Sequence, residues 1–231
     1  ALPFSNVWIA KQTAYRIPEN SVLFLGILNT LRTWNYFDIP ATVYGYANTG
    51  GFGIDGYISS FIGASLVHPD KLYFCVAGDL AFFYDMNVVG NRHVSRNIRI
   101  LLVNNGKGTE FRNYFHNGAD FGEEADKYIA AGGHYGNKSR KLVRHYAEDL
   151  GYEYLTADNK EEYLKNLDRF LTPKVTDRPI LFEVFTSNED ESEAIRMMNN
   201  LNVSTTGMLK NVVKSVVGEK GKEIIKKMLG R

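Results

Sequence analysis

The sequence predicts an α/β fold in which a doubly wound, mainly parallel sheet carries helices on both faces. Short β-type segments alternate with helical patterns along most of the 231 residues, and this alternation is typical of parallel strands joined by right-handed crossovers. Several β-type segments, such as residues 72–77, are uninterrupted apolar runs, which indicates strands covered on both faces. With 44% hydrophobic and 23% charged residues, the chain has the composition of one large globular domain.

The elements follow one another as strand–helix pairs, in which each strand is a short apolar segment and each helix a longer periodic one. The first three pairs are residues 21–25 and 27–36, 42–46 and 57–67, and 72–77 and 80–91. The remaining elements are strand 98–103, helix 138–150, strand 152–155, helix 161–171 and strand 180–185. Ligands of such sheets bind at the carboxyl ends of the strands, so the residues after each strand are the first candidates for a site.

Two segments fall outside this alternation. Residues from about 113 to 137 form a long connection that contains several glycines, and connections of this length in compact domains are usually lids or binding loops. Residues 1–200 are predicted to form the main domain, and residues 201–231 a basic amphipathic helical tail. The tail is expected to dock on the sheet or on a partner subunit, with a role at an anionic surface as the weaker alternative.

Composition argues against several classes of function. A formal net charge of +1 argues against a nucleic-acid partner, because phosphate binding needs a basic excess. No apolar run reaches the roughly 18–20 residues of a membrane span, and residues 1–4 lack the basic start of a signal peptide, so a cytoplasmic location is expected. Cys75 is the only cysteine, which excludes an internal disulfide and predicts a buried thiol. Because the chain begins with Ala1 rather than Met, a fragment or a processed form is expected.

Polar residues follow the third and fourth predicted strands directly. The third strand ends in Gly78-Asp79 and the fourth in Asn104-Asn105, and parallel strands bring such ends to the same edge of a sheet. Mg²⁺ prefers oxygen ligands and shares them with substrate phosphates. We therefore predict a Mg²⁺-diphosphate site formed by Asp79, the Asn105 amide and the backbone carbonyl of Lys107. A simple turn at Gly78-Asp79 is the alternative.

These motifs carry a family resemblance. Residues 78–80, followed by Asn104-Asn105, resemble the diphosphate-binding signature of thiamine-diphosphate-dependent enzymes. Within that family, residues 78–87 and 48–56 are similar to segments of the carboxy-terminal domain of the menaquinone-pathway 2-succinyl-5-enolpyruvyl-6-hydroxy-3-cyclohexene-1-carboxylate synthase. The resemblance runs from about residue 21 to residue 200, with the three motifs in the family's order.

The resemblance implies a thiamine-diphosphate-binding fold that holds thiamine diphosphate through Mg²⁺. It implies that Asp79, Asn105 and the Lys107 carbonyl ligate the metal. The residues that it places along the cofactor are Gly53, Ile54, Asp55, Gly78, Asp79, Leu80, Ala81, Asn105, Lys107 and Gly108. For Asp55, capping of the following helix is an open alternative.

The chain departs from that synthase where substrate is held. Thr49 stands in place of an arginine and Leu28 in place of a serine, whereas Arg32 matches an expected arginine and is a candidate substrate-site residue. A surface helix position is the alternative for Arg32. Glu110 stands where the synthase has an aliphatic residue near the cofactor. Losing one carboxylate clamp weakens the expectation of a dicarboxylate, so a small 2-oxo acid of open identity is the expected substrate.

The resemblance also implies that the chain is catalytically incomplete. Enzymes of this family activate the cofactor with a glutamate on a separate pyrimidine-binding domain, whereas this chain has room for only the diphosphate-binding half. We expect part of a decarboxylase or carboligase whose pyrimidine-binding domain belongs to the same full-length chain or to another subunit, in a homodimer or tetramer. The alternatives are a non-catalytic α/β binding or assembly domain and, third, an NAD-dependent dehydrogenase.

The long connection contributes further candidates. His116 and His134 are candidates for acid–base catalysis, with exposed loop histidines as the favoured alternative. None of the five histidines forms a metal-spaced pair, so zinc chemistry is not expected. Phe111, Tyr114 and Phe115 have the spacing of one helical face and are interpreted as core, with a pocket wall as the alternative.

Overall fold

The computed structural model describes residues 1–51, 53–128 and 139–201. The strands β1–β6 are Val22–Leu25, Tyr44–Ala47, Tyr73–Gly78, Ile98–Asn104, Glu153–Ala157 and Ile180–Phe185. The helices α1–α7 are Asn6–Thr13, Asn29–Trp34, Tyr57–Ser65, Asp79–Asp85, Leu142–Asp149, Lys160–Phe170 and Asn188–Asn199. Short 3₁₀ helices occupy Ala14–Arg16, Met86–Gly90, Thr109–Arg112 and Asn117–Lys127, the last kinked at Gly122.

The six strands form one sheet in the order β2-β1-β3-β4-β6-β5, and every neighbouring pair is parallel. The predicted doubly wound sheet is therefore confirmed. In the pairing of β3 with β4, Gly78 lies opposite Val103. The next residues along the two strands, Asp79 and Asn104, consequently emerge side by side at the carboxyl edge, as the sequence predicts.

The direction in which the chain winds reverses between β1 and β3. From β1 the chain crosses outward to the edge strand β2, and it then returns past β1 to reach β3. The helices after β1 and β3 therefore pack on opposite faces of the sheet, α2 through Trp34 and α4 through Phe82. A crevice opens between such helices at the carboxyl ends of the strands, where ligands of this class of sheet bind.

Apolar side chains cover both faces of the sheet, which explains why its central strands are uninterrupted apolar runs. One face, including Phe74 and Phe182, packs against α1 and α6. The opposite face, including Cys75 and Ile100, packs against α3 and α5. Cys75 is fully buried, as predicted, and burial raises the pKa of its thiol to about 12, so the thiol is neutral at physiological pH.

All six predicted strands and all five predicted helices are present, with different ends. The largest difference is at predicted helix 80–91, where α4 ends at Asp85 and Met86–Gly90 continues as a 3₁₀ helix. The sequence pattern does not predict α1 or α7. The long connection is also less irregular than predicted, because it contains the 3₁₀ helix Asn117–Lys127.

Contacts within the chain divide it after Ala194, and the sheet and the site described below lie within Ala1–Ala194. The predicted boundary at residue 200 stays a prediction, and the basic helical tail falls on residues 202–231, outside the described residues. Among the residues that are described, no helix is both long and apolar enough to cross a membrane.

Candidate functional site

A cavity of about 170 Å³ opens at the carboxyl edge of the sheet, over the ends of β1, β3 and β4. This position coincides with the reversal of winding between β1 and β3, where doubly wound sheets bind their ligands. Most of the residues predicted to line a cofactor are in its wall. They are Ile54, Gly78, Asp79, Leu80, Ala81, Asn105, Lys107 and Gly108.

Asp79 is the buried acid of this cavity, with 2% of its surface exposed. Its Oδ1 accepts a hydrogen bond from the Leu80 N–H at 2.8 Å, and its Oδ2 accepts one from the Gly106 N–H at 2.5 Å. The carboxylate therefore joins the end of β3 to the loop after β4. Gly106 has a φ of 83°, a backbone conformation that favours glycine. The same loop brings Asn105 and Lys107 to the cavity wall.

A second buried acid, Glu183 of β6, supports this loop through the neighbouring strand β4. The Asn104 side-chain amide donates to Glu183 Oε1 at 2.7 Å, and the Tyr154 hydroxyl donates to Glu183 Oε2 at 2.6 Å. Burial raises the pKa of Glu183, and these two hydrogen bonds oppose the rise. The Asn104 side chain is thus occupied by its hydrogen bond to Glu183 and stabilises the end of β4. Of the two asparagines, Asn105 is the one that lines the cavity.

The oxygen donors at the cavity fit the predicted Mg²⁺ site. Asp79 supplies a carboxylate, Asn105 an amide oxygen and Lys107 a backbone carbonyl, and all three residues line the cavity. Within the described residues, no group of three or more His, Cys, Asp or Glu side chains could hold a metal. A single carboxylate with neutral oxygens nevertheless suits Mg²⁺ that shares its coordination with phosphate oxygens.

The turn after β1 forms the opposite wall and is tightly constrained. A Cβ added to Gly26 would lie 3.2 Å from the ring of Tyr57, whose hydroxyl donates to the Val76 carbonyl at 3.0 Å. Leu28 follows with a φ of 65°, a conformation that strains a branched residue. Leu28 lines the cavity, whereas Thr49 is exposed and is not part of the wall.

Arg32 is not among the residues that line the cavity, and its guanidinium is held by an acid that is. Its guanidinium donates to Glu110 Oε2 at 2.7 Å and to Glu110 Oε1 at 3.1 Å. It also donates to Asn29 Oδ1 at 2.8 Å and lies 5.2 Å from the centre of the Phe115 ring. Glu110 and Asn29 themselves line the cavity. Arg32 is therefore a partly exposed residue of α2 that is paired with an acid, and its role in binding substrate stays a prediction.

The loop after β4 is closed by the segment that follows it. Asp126 receives hydrogen bonds from Lys107 Nζ, at 2.8 Å, and from the Arg112 guanidinium. Burial by itself raises the pKa of Asp126, but the hydrogen bonds and charges of Lys107 and Arg112 outweigh it and lower the pKa. Through Asp126, the end of the 3₁₀ helix Asn117–Lys127 is thereby joined to the loop after β4.

Glu191 is a cavity residue that the sequence pattern does not reveal. It is buried at the start of α7, and its carboxylate oxygens accept the Asn6 N–H at 3.0 and 3.1 Å. The Thr186 hydroxyl also donates to it, at 2.7 Å. Burial raises the pKa of Glu191 to about 7, against the effect of these hydrogen bonds. The only feature of the sequence that points to Glu191 is the acidic first turn of α7. Its partner Asn6 is in α1, a helix that the sequence pattern does not predict.

Of the three predicted cofactor residues in the loop before α3, only one lies in the cavity wall. Ile54 lines the cavity, whereas Gly53 and Asp55 are absent from its wall and Asp55 is exposed. Capping of α3 by Asp55 is not observed, because α3 begins after Gly56 and its first turn is capped by Asp85. Contact of Gly53 and Asp55 with a cofactor stays a prediction.

Of the described candidates in and just before the long connection, one residue contributes to the cavity wall. His116 is half-buried, accepts the Gly118 N–H at 2.9 Å and packs edge-on against Phe111. Phe111 lines the cavity. The helical face predicted for Phe111, Tyr114 and Phe115 is wrong, because the 3₁₀ helix ends at Arg112 and Tyr114 and Phe115 are exposed. His134 lies outside the described residues.

Several curated relatives carry the same name. The 2-succinyl-5-enolpyruvyl-6-hydroxy-3-cyclohexene-1-carboxylate synthase of Bacteroides thetaiotaomicron is 33% identical over 180 residues, which are 78% of this chain and 31% of that protein. The synthase of Phocaeicola vulgatus is 33% identical over 195 residues, 84% of this chain and 33% of that protein. The chain is a partial-length homologue of these synthases. A scan against protein-family models finds no match.

The resemblance inferred from the motifs is therefore confirmed. A third synthase, from Christiangramia forsetii, is 30% identical over 194 residues, 84% of this chain and 32% of that protein. The chain spans about a third of the length of the curated relatives it matches. This synthase homologue thus combines the sheet expected from the resemblance with a cavity whose wall includes Leu28, Glu110 and Glu191.

Proposed function

We propose that this chain is the diphosphate- and Mg²⁺-binding part of a thiamine-diphosphate-dependent decarboxylase or carboligase that acts on a 2-oxo acid. The observation that carries the proposal is the buried Asp79 carboxylate, which faces a cavity at the reversal of the sheet and is hydrogen-bonded to the Asn105–Lys107 loop. Similarity to synthases of the menaquinone pathway supports the same function.

In this proposal the chain binds and orients the cofactor. Asp79, Asn105 and the Lys107 carbonyl hold Mg²⁺, and the glycines of the loop admit a diphosphate close to the backbone. Leu80, Ala81 and the residues opposite them exclude water from the cavity. When bound, thiamine diphosphate supplies the electron sink for decarboxylation of a 2-oxo acid.

We further propose that the chain depends on a pyrimidine-binding domain, supplied by the longer protein or by another subunit, with the active site at their junction in a dimer or tetramer. The share of each relative that the chain covers, about a third, supports this dependence. The isolated chain is then expected to release no CO₂ from 2-oxo acids. Release above the rate without protein would contradict the dependence.

Calorimetry with thiamine diphosphate tests the binding function. The chain is expected to bind it only when Mg²⁺ is present, and Asp79→Asn to weaken binding by at least about tenfold, the scale of loss when supporting groups of metal sites are removed. Asp38→Ala, at an exposed position, is the matched control. Circular dichroism checks that Asp79→Asn is folded. Absence of heat with the parent chain, or equal heat with folded Asp79→Asn, would instead favour a non-catalytic binding or assembly domain.

A further inference from the structure

The carboxylate of Glu110 lies in the wall of the cavity and holds the guanidinium of Arg32 in a two-point contact. The two N–O distances are 2.7 and 3.1 Å. Both side chains are sheltered, with 32% of Arg32 and 18% of Glu110 exposed. Paired hydrogen bonds of this geometry are among the strongest that arginine makes with a carboxylate. A ligand anion that approaches Arg32 must therefore compete with a carboxylate already in place.

Neighbouring residues fix this pair from two sides. Asn29 Oδ1 accepts from Arg32 and from the Asn113 side-chain amide, each at 2.8 Å. The Phe115 ring lies 5.2 Å from the guanidinium carbon, within range of a cation–π contact. Arg32 is consequently oriented toward Glu110 by groups on both α2 and the connection after β4, rather than free to turn to a ligand.

Two further cations beside the cavity loop are also paired with an acid. Lys107 and Arg112 both contact Asp126. A carboxylate at the far end of a ligand would therefore meet the negative charge of Glu110 in the wall, while Arg32, Lys107 and Arg112 are engaged with acids of the chain. Like charges brought together in a sheltered site disfavour binding, and this is a common way to reject a wrong partner.

We propose that Glu110 determines the charge preference of the site, so that it accepts a monocarboxylate whose far end is uncharged and rejects a dicarboxylate. The proposal rests on the proposed function only in treating the cavity as the place where the acid binds. It makes Arg32 a positioning residue that holds Glu110, since Glu110 lines the cavity and Arg32 does not.

The test compares two probes of equal length, butyrate and succinate, whose binding to the chain is followed by NMR titration with and without Mg²⁺ and thiamine diphosphate. The parent chain is expected to prefer butyrate. Glu110→Gln, which removes the charge and retains an acceptor for Arg32, is expected to bind succinate about tenfold or more tightly, with little change for butyrate. Glu110→Ala is the second variant, and Glu123→Gln, at an exposed position of the same connection, is the matched control.

A double variant, Arg32→Gln with Glu110→Gln, is expected to lose the gain for succinate, because no guanidinium remains to receive it. Preference of the parent chain for succinate, unchanged succinate binding in both Glu110 variants, or no detectable succinate binding to them would each overturn the proposal. Calorimetry with thiamine diphosphate separates the two levels. If the cofactor binds normally but succinate binding is unchanged in the Glu110 variants, only the role of Glu110 is refuted. If the charge preference depends on Glu110 but the cofactor does not bind, only the proposed cofactor function is refuted.

Discussion

At the level of single residues, burial changes the protonation of Glu191 most clearly. The folded chain raises the pKa of this carboxyl from an ordinary 4.5 to about 7, chiefly because burial disfavours the charged form. Between these two pH values the folded state holds a proton that the unfolded state has released. Folding is therefore favoured by Glu191 at low pH, and this contribution is lost as the pH rises through about 7.

Replacement of Glu191 by Gln should remove this pH dependence. We expect the free energy of unfolding of the parent chain to fall between pH 5 and pH 8 relative to that of Glu191→Gln, which cannot ionise. All other titratable groups are common to both proteins, so the difference between them isolates Glu191. Urea denaturation at several pH values measures it, with the exposed Glu189→Gln as control. A constant difference between parent and Glu191→Gln would refute the assignment.

At the level of elements, α3 depends on an acid from another helix. Its first residue follows Gly56, which has no side chain to cap it. Asp85, at the end of α4, instead accepts the Ser59 N–H at 2.7 Å and the Ser59 hydroxyl at 2.6 Å. The cap matters for the site because α3 carries Tyr57, whose ring forms part of the cavity wall.

Removal of this cap should destabilise the chain. We expect Asp85→Ala to lower the free energy of unfolding by about 1–2 kcal/mol, the usual cost of losing an N-terminal cap. Asp38→Ala, at an exposed position, should change it little. Both are measured by urea denaturation. Equal stability of the two variants would show that the capping contact contributes nothing measurable.

The elements also show which parts of the fold a sequence reveals. The central strands were predictable because their residues are apolar on both faces and bounded by turns. Helix α1 was not, because it is short and buried on nearly all sides, so it lacks the polar face that makes a helical period visible. Its N-cap Ser5, which accepts the Trp8 N–H at 3.3 Å, is the one local signal that it offers.

The same distinction applies to the site. Asp79 and Asn105 could be predicted as cavity residues because they follow their strands immediately, and topology alone brings those ends together. The pairing of Arg32 with Glu110 joins residues 78 positions apart, and that of Asn6 with Glu191 joins residues 185 apart. Such pairs depend on how distant loops pack, which no local pattern of residue types encodes.

For the molecule as a whole, α1 connects distant parts of the Ala1–Ala194 unit. Its first residue is held by Glu191, at the start of α7. At its end, the Thr13 hydroxyl contacts the Tyr163 hydroxyl of α6 at 2.6 Å, and both side chains are buried. Trp8 packs edge-on against Tyr163, with ring centres 5.6 Å apart. The first helix is therefore part of the main core rather than an appendage.

The contact between the Thr13 and Tyr163 hydroxyls can be tested with substitutions that hardly change the shape of either side chain. Thr13→Val and Tyr163→Phe each remove one hydroxyl and leave the other buried without this partner, which should cost about 1–3 kcal/mol in each single variant. The double variant replaces both hydroxyls by apolar surface and should recover most of that loss. Urea denaturation followed by circular dichroism gives the four free energies of the cycle. If the two losses simply add in the double variant, the hydroxyls do not stabilise each other and their contact does not help to hold α1 against α6.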